Sequence, residues 1–369
     1  MRFVLGGLLA LASGIAAAED AGHALYQRGE GATAVLAGGA ARMPARAFPC
    51  ANCHGADTLG GREGGVVVPP VGWSRLSVPT PRRPAYDGPA LTRALAEGLD
   101  PARRPLGAAM PRFEVAPEAL AALASALAAI EAEQQAGIHG AELLLRPPSD
   151  AAARAGFEAA LARLNDEGGA HGRLLRAARP NEPAALDLSD LSAVANALAA
   201  AEARALLSAA AEDGLTALAV AGPPPDRGLQ AQAAAAGVAL GPSSAAVLVL
   251  GALSDDRAAA LEATAIYARR DALSPALIAA AARPGLHLIL TDPFPEAAAW
   301  ARMTGQGRSA ALGHAAARMA HEAAVRAGRR CSVARLAAAL AEVTGRDVAI
   351  RRQKAPGVAS FPQEEPAGP

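Results

Sequence analysis

The sequence predicts a multidomain chain, a helical and loop-rich domain followed by an α/β domain with mostly parallel strands. Length sets the count: 369 residues at about 150 per domain make two or three domains. Punctuation sets the classes. Gly and Pro cluster at 60–72 and 79–89 among helical patterns, whereas from 141 onward short β-like runs alternate with Ala-rich helical stretches. Composition excludes a largely disordered chain and a disulfide scaffold, since 52% of residues are hydrophobic, 19% are charged and three are Cys.

The elements follow in order. Arg2, the apolar run 3–13, and Ala16 and Ala18 ahead of Glu19 read as a cleaved export signal over 1–18. The run is too short to span a bilayer comfortably. The mature chain is therefore expected in the periplasm, with no membrane span after cleavage. Helical patterns cover 19–29, 88–98 and 116–133. In the last, Leu120, Leu123, Leu127 and Ile130 recur at helical spacing behind Pro117 and Glu118. These patterns bound a first domain at 19–134, and 135–140 reads as a linker. The second domain, 141–353, has β-like runs at 141–146, 172–178, 215–222, 245–251, 264–269 and 286–292. Helical stretches lie between them, and two more follow at 309–327 and 332–343. The tail, 354–369, is rich in Pro, Glu and Gly and is expected to be disordered.

Charge narrows the partners. Lys+Arg 35 balances Asp+Glu 35, and a net charge of zero argues against nucleic-acid binding through bulk electrostatics. Lys354 is the only Lys, which reflects codon usage more than a binding signal.

Cys50-Ala51-Asn52-Cys53-His54 carries the strongest chemistry. A C-x-x-C pair alone leaves open a thioredoxin-like redox pair, half a zinc site or a local disulfide. The adjoining His and the export signal favour covalent c-type haem attachment. Two thiols three residues apart reach the two vinyl groups of one porphyrin, and the next His falls beneath the iron as an axial ligand. Met110, before Pro111, is the leading sixth ligand, because a thioether suits electron transfer. Met43 and His23 are its rivals. An axial His donates its other ring N–H to a fixed acceptor. Val68-Pro69-Pro70-Val71 is a stiff loop placed to offer one, through either Pro69 or Pro70. Trp73 and Tyr86 are candidates to pack on the haem.

At these residues the sequence resembles the class I monohaem cytochromes c over 20–133. Gly22 and Tyr26 match the N-terminal helix and Cys50 to Gly55 the attachment motif. Gly60 to Pro70 match the following loop, Met110-Pro111 the ligand segment, and 117–131 the closing helix. The resemblance implies an all-α domain holding one haem c on Cys50 and Cys53, with His54 and Met110 as axial ligands. Two features depart from the family: Ala126 stands where the closing helix usually has an aromatic, and about twenty residues separate the first helix from the motif.

The second domain is similar to type I periplasmic binding proteins, the branched-chain amino-acid receptor class of ABC transporters. Asn165, Gly168, Gly169, Gly172 and Arg173 match their early helix-to-strand turn, and 312–343 resembles their late helix pair. The resemblance implies a Rossmann-like α/β fold. About 215 residues are too few for the family's two lobes, and the strand-end loops 221–226 and 251–256 are poor in hydroxyls. No amino-acid-binding residue is carried over. The combined expectation is a periplasmic electron carrier and not an enzyme. It would pass single electrons between a dehydrogenase and an oxidase or other cytochrome. By family analogy the second domain would dock the dehydrogenase, a quinoprotein alcohol dehydrogenase among the options. The alternative is a solute-binding or sensory protein whose haem reports or gates. A haem enzyme with an open iron site is a third reading.

Overall fold

In the computed structural model of the chain, the described residues are 21–36, 39–269, 272–293, 297, 300–301, 303–343 and 348–354. The expected export signal, 1–18, and the expected tail beyond Lys354 lie outside them. The chain divides into two compact units. The first comprises residues up to Leu145 together with Ala178–Leu186 and Ala324–Ala338; the second holds the remainder.

The first unit has a helical frame. Helix α1 spans 21–28. A one-turn helix α2 (Cys50–His54) carries the C-x-x-C-H motif, and α3 (Trp73–Leu76) and α4 (Gly88–Ala96) follow. Asp87 caps α4 by accepting the Ala90 N–H at 2.7 Å, with Pro89 in the first turn. The long helix α5 (Pro117–Gln134) buries Leu123, Leu127 and Ile130 of the predicted stripe together with Ala119 and Ala126, while Leu120 is half-buried. Helix α1 crosses it at Gly22, where a β-carbon would stand 2.6 Å from the Ala122 carbonyl oxygen and 2.8 Å from the Ala126 β-carbon. A small residue at 126 is thus matched to a close approach of two backbones.

This unit is not all-α, which corrects the expectation. Strand β1 (Ala32–Leu36) pairs antiparallel with β2 (Ala41–Pro44) on one side and β5 (Arg112–Val115) on the other. A hairpin of β3 (Gly61–Glu63) and β4 (Val66–Val68) follows the motif. Residues between α1 and the motif therefore form sheet structure, with Ala34 buried against Phe113 in register.

The segment 135–140 is also packed and does not run free as a linker. Ile138 is buried, and Gly137 approaches the backbone of Ala184 and Ala185 too closely for a β-carbon. Strand β6 (Glu142–Arg146) extends this packing, with the Leu144 carbonyl accepting the Ala185 N–H at 2.8 Å.

The second unit is α/β. Strands β9 (Ala217–Ala221), β10 (Ala239–Gly241), β11 (Ala246–Val249), β12 (Ala265–Ala268) and β13 (His287–Pro293) run parallel. An antiparallel strand β14 (Val348–Lys354) closes one edge, giving the order β10-β9-β11-β12-β13-β14. Both faces are covered, which explains the near-continuous apolar runs. Val247, Val249, Ile266, Ala268, Leu288 and Leu290 pack with Leu253, Ala258, Leu277 and Ala281 on one face. Leu218, Leu248, Tyr267 and Ile289 pack with Leu206, Leu207, Ala210 and Val238 on the other.

A helix at Ala151–Asp166 crosses the helix Arg308–Ala327 through paired glycines. A β-carbon on Gly156 would collide with the Ala310 carbonyl oxygen, and one on Gly313 with that of Ala153. Asn165 then fixes the next strand, β7 (Leu174–Ala177), which precedes the two-residue β8 (Leu186–Asp187): its side chain bonds both the N–H (2.8 Å) and the carbonyl (2.9 Å) of Leu175. Gly156→Leu is expected to destabilise this unit by about 2 kcal/mol or more through overpacking. Gly251→Ala, at a position open to solvent, should shift it by less than about 0.5 kcal/mol. Urea unfolding followed by circular dichroism checks the pair.

Candidate functional site

The site begins at α2. Pro49 leads into a single helical turn that places Cys50 and Cys53 one turn apart and ends at Gly55, whose φ of 79° reverses the chain. Both thiols are free. Burial pushes the Cys50 thiol up to about 11, and the Glu63 carboxylate, with burial second, pushes Cys53 up to about 11. Both are thus protonated at neutral pH. A reactive redox pair has the opposite property, a lowered thiol pKa.

His54 Nδ1 lies 2.9 Å from the Pro69 carbonyl oxygen. Of the two prolines named from the sequence, Pro69 is therefore the one bonded to the ring. A carbonyl only accepts, so Nδ1 carries the proton and Nε2 is left with its lone pair for a metal. Burial holds the imidazole below its usual pKa, while the Pro69 bond pulls the other way. The ring is thus neutral at pH 7, the form that ligates a metal. Gly60 makes the approach of Pro69 possible. Its φ is +69°, and a β-carbon there would collide with the Val68 carbonyl oxygen and stand 2.7 Å from the Pro69 carbonyl carbon.

The loop between His54 and Gly60 is held from several directions. The Gly60 N–H donates to the His54 carbonyl at 2.7 Å, and the Val71 N–H to the Thr58 carbonyl at 2.9 Å. Tyr26 Oη on α1 donates to the Gly55 carbonyl at 2.7 Å, and Gln27 Nε2 to the Ala56 carbonyl at 3.0 Å. Tyr26 is thereby given a role that its place in the helix pattern did not disclose.

Met110, Trp73 and Cys50 pack on the core of this unit. All three are partly buried against one apolar cluster that includes Tyr26, Leu95, Phe113, Leu127 and Ile130. Arg112 Nη1 fixes the Met110 carbonyl at 2.7 Å, its guanidinium lying where a side chain on Gly98 would be. Trp73 opens α3, which Glu131 of α5 anchors by accepting the Ser74 N–H at 2.8 Å and the Ser74 hydroxyl at 2.5 Å. The rivals of Met110 lie elsewhere: Met43 is exposed on β2 and His23 is exposed on α1. Pro70 is half-buried beside Pro69. Tyr86 sits under Arg83, whose guanidinium carbon is 4.9 Å from the ring centre and which also holds the Arg75 and Pro84 carbonyls.

The donor set fits a covalent c-type haem. It offers two thiols on one helical turn, a neutral His with Nε2 available, and a thioether on the cluster against which Cys50 packs. Among the described residues no helix is long and apolar enough to cross a membrane.

No protein-family model and no curated protein matches the chain. Solved structures similar to it include a protein from Rhodospirillum rubrum described as a branched-chain amino acid ABC transporter (15% identity, TM-score 0.41, covering 60% of this chain and 99% of that one). An extracellular ligand-binding receptor from Verminephrobacter eiseniae shares 16% identity over 57% of this chain and 97% of its own, with a TM-score of 0.36. An ABC transporter substrate-binding protein from Desulfitobacterium hafniense shares 14% over 55% and 88%, with a TM-score of 0.32. Likenesses of this size define no family for the chain.

Tyr26→Phe keeps the buried ring and removes the hydroxyl that fixes Gly55. The expected result is a loss of about 1 kcal/mol in stability, seen as an earlier denaturant midpoint. A Tyr26→Phe protein as stable as wild type would remove Tyr26 from the support of this loop.

Proposed function

We propose that the chain is an exported c-type cytochrome that carries single electrons through one haem c. The observation that carries the reading is the His54–Pro69 bond beside two free thiols, because it leaves Nε2 of a neutral imidazole as a ligand. In this reading Cys50 and Cys53 would hold the haem covalently through their thiols, and His54 and Met110 would supply the protein's ligands to its iron. Bound in this way, the haem supplies a one-electron iron couple, whose potential a thioether ligand raises. The protein's part is to hold both ligands in place, with Trp73 and the cluster around Phe113 keeping water from the site. Redox partner proteins follow from the chemistry: a donor dehydrogenase, a quinoprotein alcohol dehydrogenase among the options, and an acceptor oxidase or cytochrome. The second unit serves partner docking in this scheme.

A second reading gives the α/β unit a small-molecule ligand. The strand order places β10 and then β11 on opposite sides of β9, a switch point of the kind at which open parallel sheets bind ligands. Further along the same carboxyl edge, buried Glu202 accepts from Thr291 Oγ1 at 2.7 Å and lies 3.2 Å from Arg269.

Expressed with periplasmic haem maturation, the wild type should stain for haem on a denaturing gel, and Cys50→Ser or Cys53→Ser should weaken or abolish the stain. Absence of stain in the wild type would overturn the cytochrome reading. Met110→Ala should lower the midpoint potential and open the ferrous iron to carbon monoxide, read in the visible spectrum. Calorimetric titration with branched-chain amino acids separates the second reading, which requires saturable binding.

A further inference from the structure

Asp57 is a buried carboxylate, 5% exposed, three residues past His54. Its partners come from the far end of the chain. Ser332 Oγ donates to Asp57 Oδ2 at 2.8 Å, and Arg335 Nε donates to the same oxygen at 2.6 Å. Arg335 Nη2 also donates to the Gly60 carbonyl at 2.8 Å. Ser332 is fully buried and accepts the Arg335 N–H at 3.2 Å, at the start of the helix Val333–Val343. Two more bonds fasten this segment to the end of α5. The Ala334 N–H meets Gln134 Oε1 at 3.0 Å, and Gln135 Nε2 meets the Cys331 carbonyl at 3.3 Å. All of these residues belong to the first unit.

Asp57 is buried but the Arg335 side chain is 38% exposed, so desolvation of the carboxylate and solvent screening of the guanidinium leave this ion pair little net stability to contribute. Its value is in fixing geometry, and here it fixes a particular stretch of backbone. Arg335 spans Asp57 and Gly60, the two ends of the turn after Gly55. Gly60 is the residue whose missing β-carbon lets Pro69 approach His54. The guanidinium fork therefore sets the floor on which the Pro69 carbonyl rests.

We propose that Arg335, held with Ser332, is a positioning residue for His54. It acts through Asp57 and Gly60 on the carbonyl that orients the imidazole, and it neutralises the buried carboxylate nearest to His54 in sequence. This rests on the cytochrome reading above. Two effects follow. Without Arg335 the His54 support loosens, and Asp57 becomes an unbalanced anion that favours the ferric state.

The experiment uses the full-length, haem-loaded protein and its Arg335→Ala, Arg335→Lys and Asp57→Asn/Arg335→Ala variants. Redox titration should show a lower midpoint potential in Arg335→Ala. It should recover most of the way in Arg335→Lys, which keeps the charge, and in the double variant, which removes the stranded anion. Hydrogen exchange at Gly60 and Val71 should be about tenfold faster in Arg335→Ala and stay fast in the double variant. An Arg335→Ala protein with unchanged potential and exchange would overturn the proposal while leaving the haem assignment standing. If Arg335→Ala fails to fold, the other two variants decide: a potential far below the wild type in both Arg335→Lys and the double variant overturns the charge argument. A wild type without covalent haem instead brings down the cytochrome reading, and this proposal with it.

Discussion

One constraint governs the first unit: a backbone carbonyl must stand 2.9 Å from His54 Nδ1. Carbonyls on mobile loops cannot hold an imidazole to one tautomer and one plane, so the loop offering this one has to be rigid. Pro69 and Pro70 stiffen it locally, Gly60 allows it to come close, and the turn beneath is tied by Tyr26, Gln27, Asp57 and Arg335. Much of the surrounding structure can be read as support for that single hydrogen bond. Glu131 anchors α3 below Trp73, and Arg112 does the same for the Met110 segment.

The second unit follows a different logic. Its central strands are covered on both faces, so their stability comes from burial and not from the detail of any loop. Small residues set the spacing of its helices. Gly156 and Gly313 allow the backbones of two helices to approach directly, an arrangement that an Ala-rich chain with few aromatics can reach without large voids. Among the described residues, Glu202, Thr291 and His314 are buried polar groups in this interior, with the partly buried Arg269 beside Glu202.

The legible parts of the fold are those written in local pattern. The six β-like runs after 141 all contain strands, because buried parallel strands read as short apolar runs bounded by turns. Helix α5 was legible from Leu123, Leu127 and Ile130, and the loop carbonyl for His54 from the stiffness of Pro69-Pro70. What was not legible depends on pairings distant in sequence. Strand β1 reads Ala-Thr-Ala-Val-Leu, too short and too small to stand out, and it exists because Phe113 and Met43 lie opposite Ala34 in its two neighbours. Strand β10, three residues long, and the edge strand β14 escaped for the same reason. Asp57 gave no signal at all: an acidic residue in a Gly-rich loop reads as solvated, and its partners lie 275 and 278 residues further on.

That separation bears on the order in which the molecule matures. A chain synthesised from its N-terminus presents Cys50, Cys53 and His54 long before Ser332 and Arg335 emerge. During that interval the turn after His54 has Tyr26 and Gln27 to hold it, and Asp57 is still hydrated. Contacts so far apart in sequence form late, because a long loop must close first. The thiols are therefore open to chemistry during synthesis, on a loop that acquires its last restraint only when the segment leading into the helix Val333–Val343 docks. A truncated chain ending before residue 332 would keep these thiols on a turn that is never fully tightened.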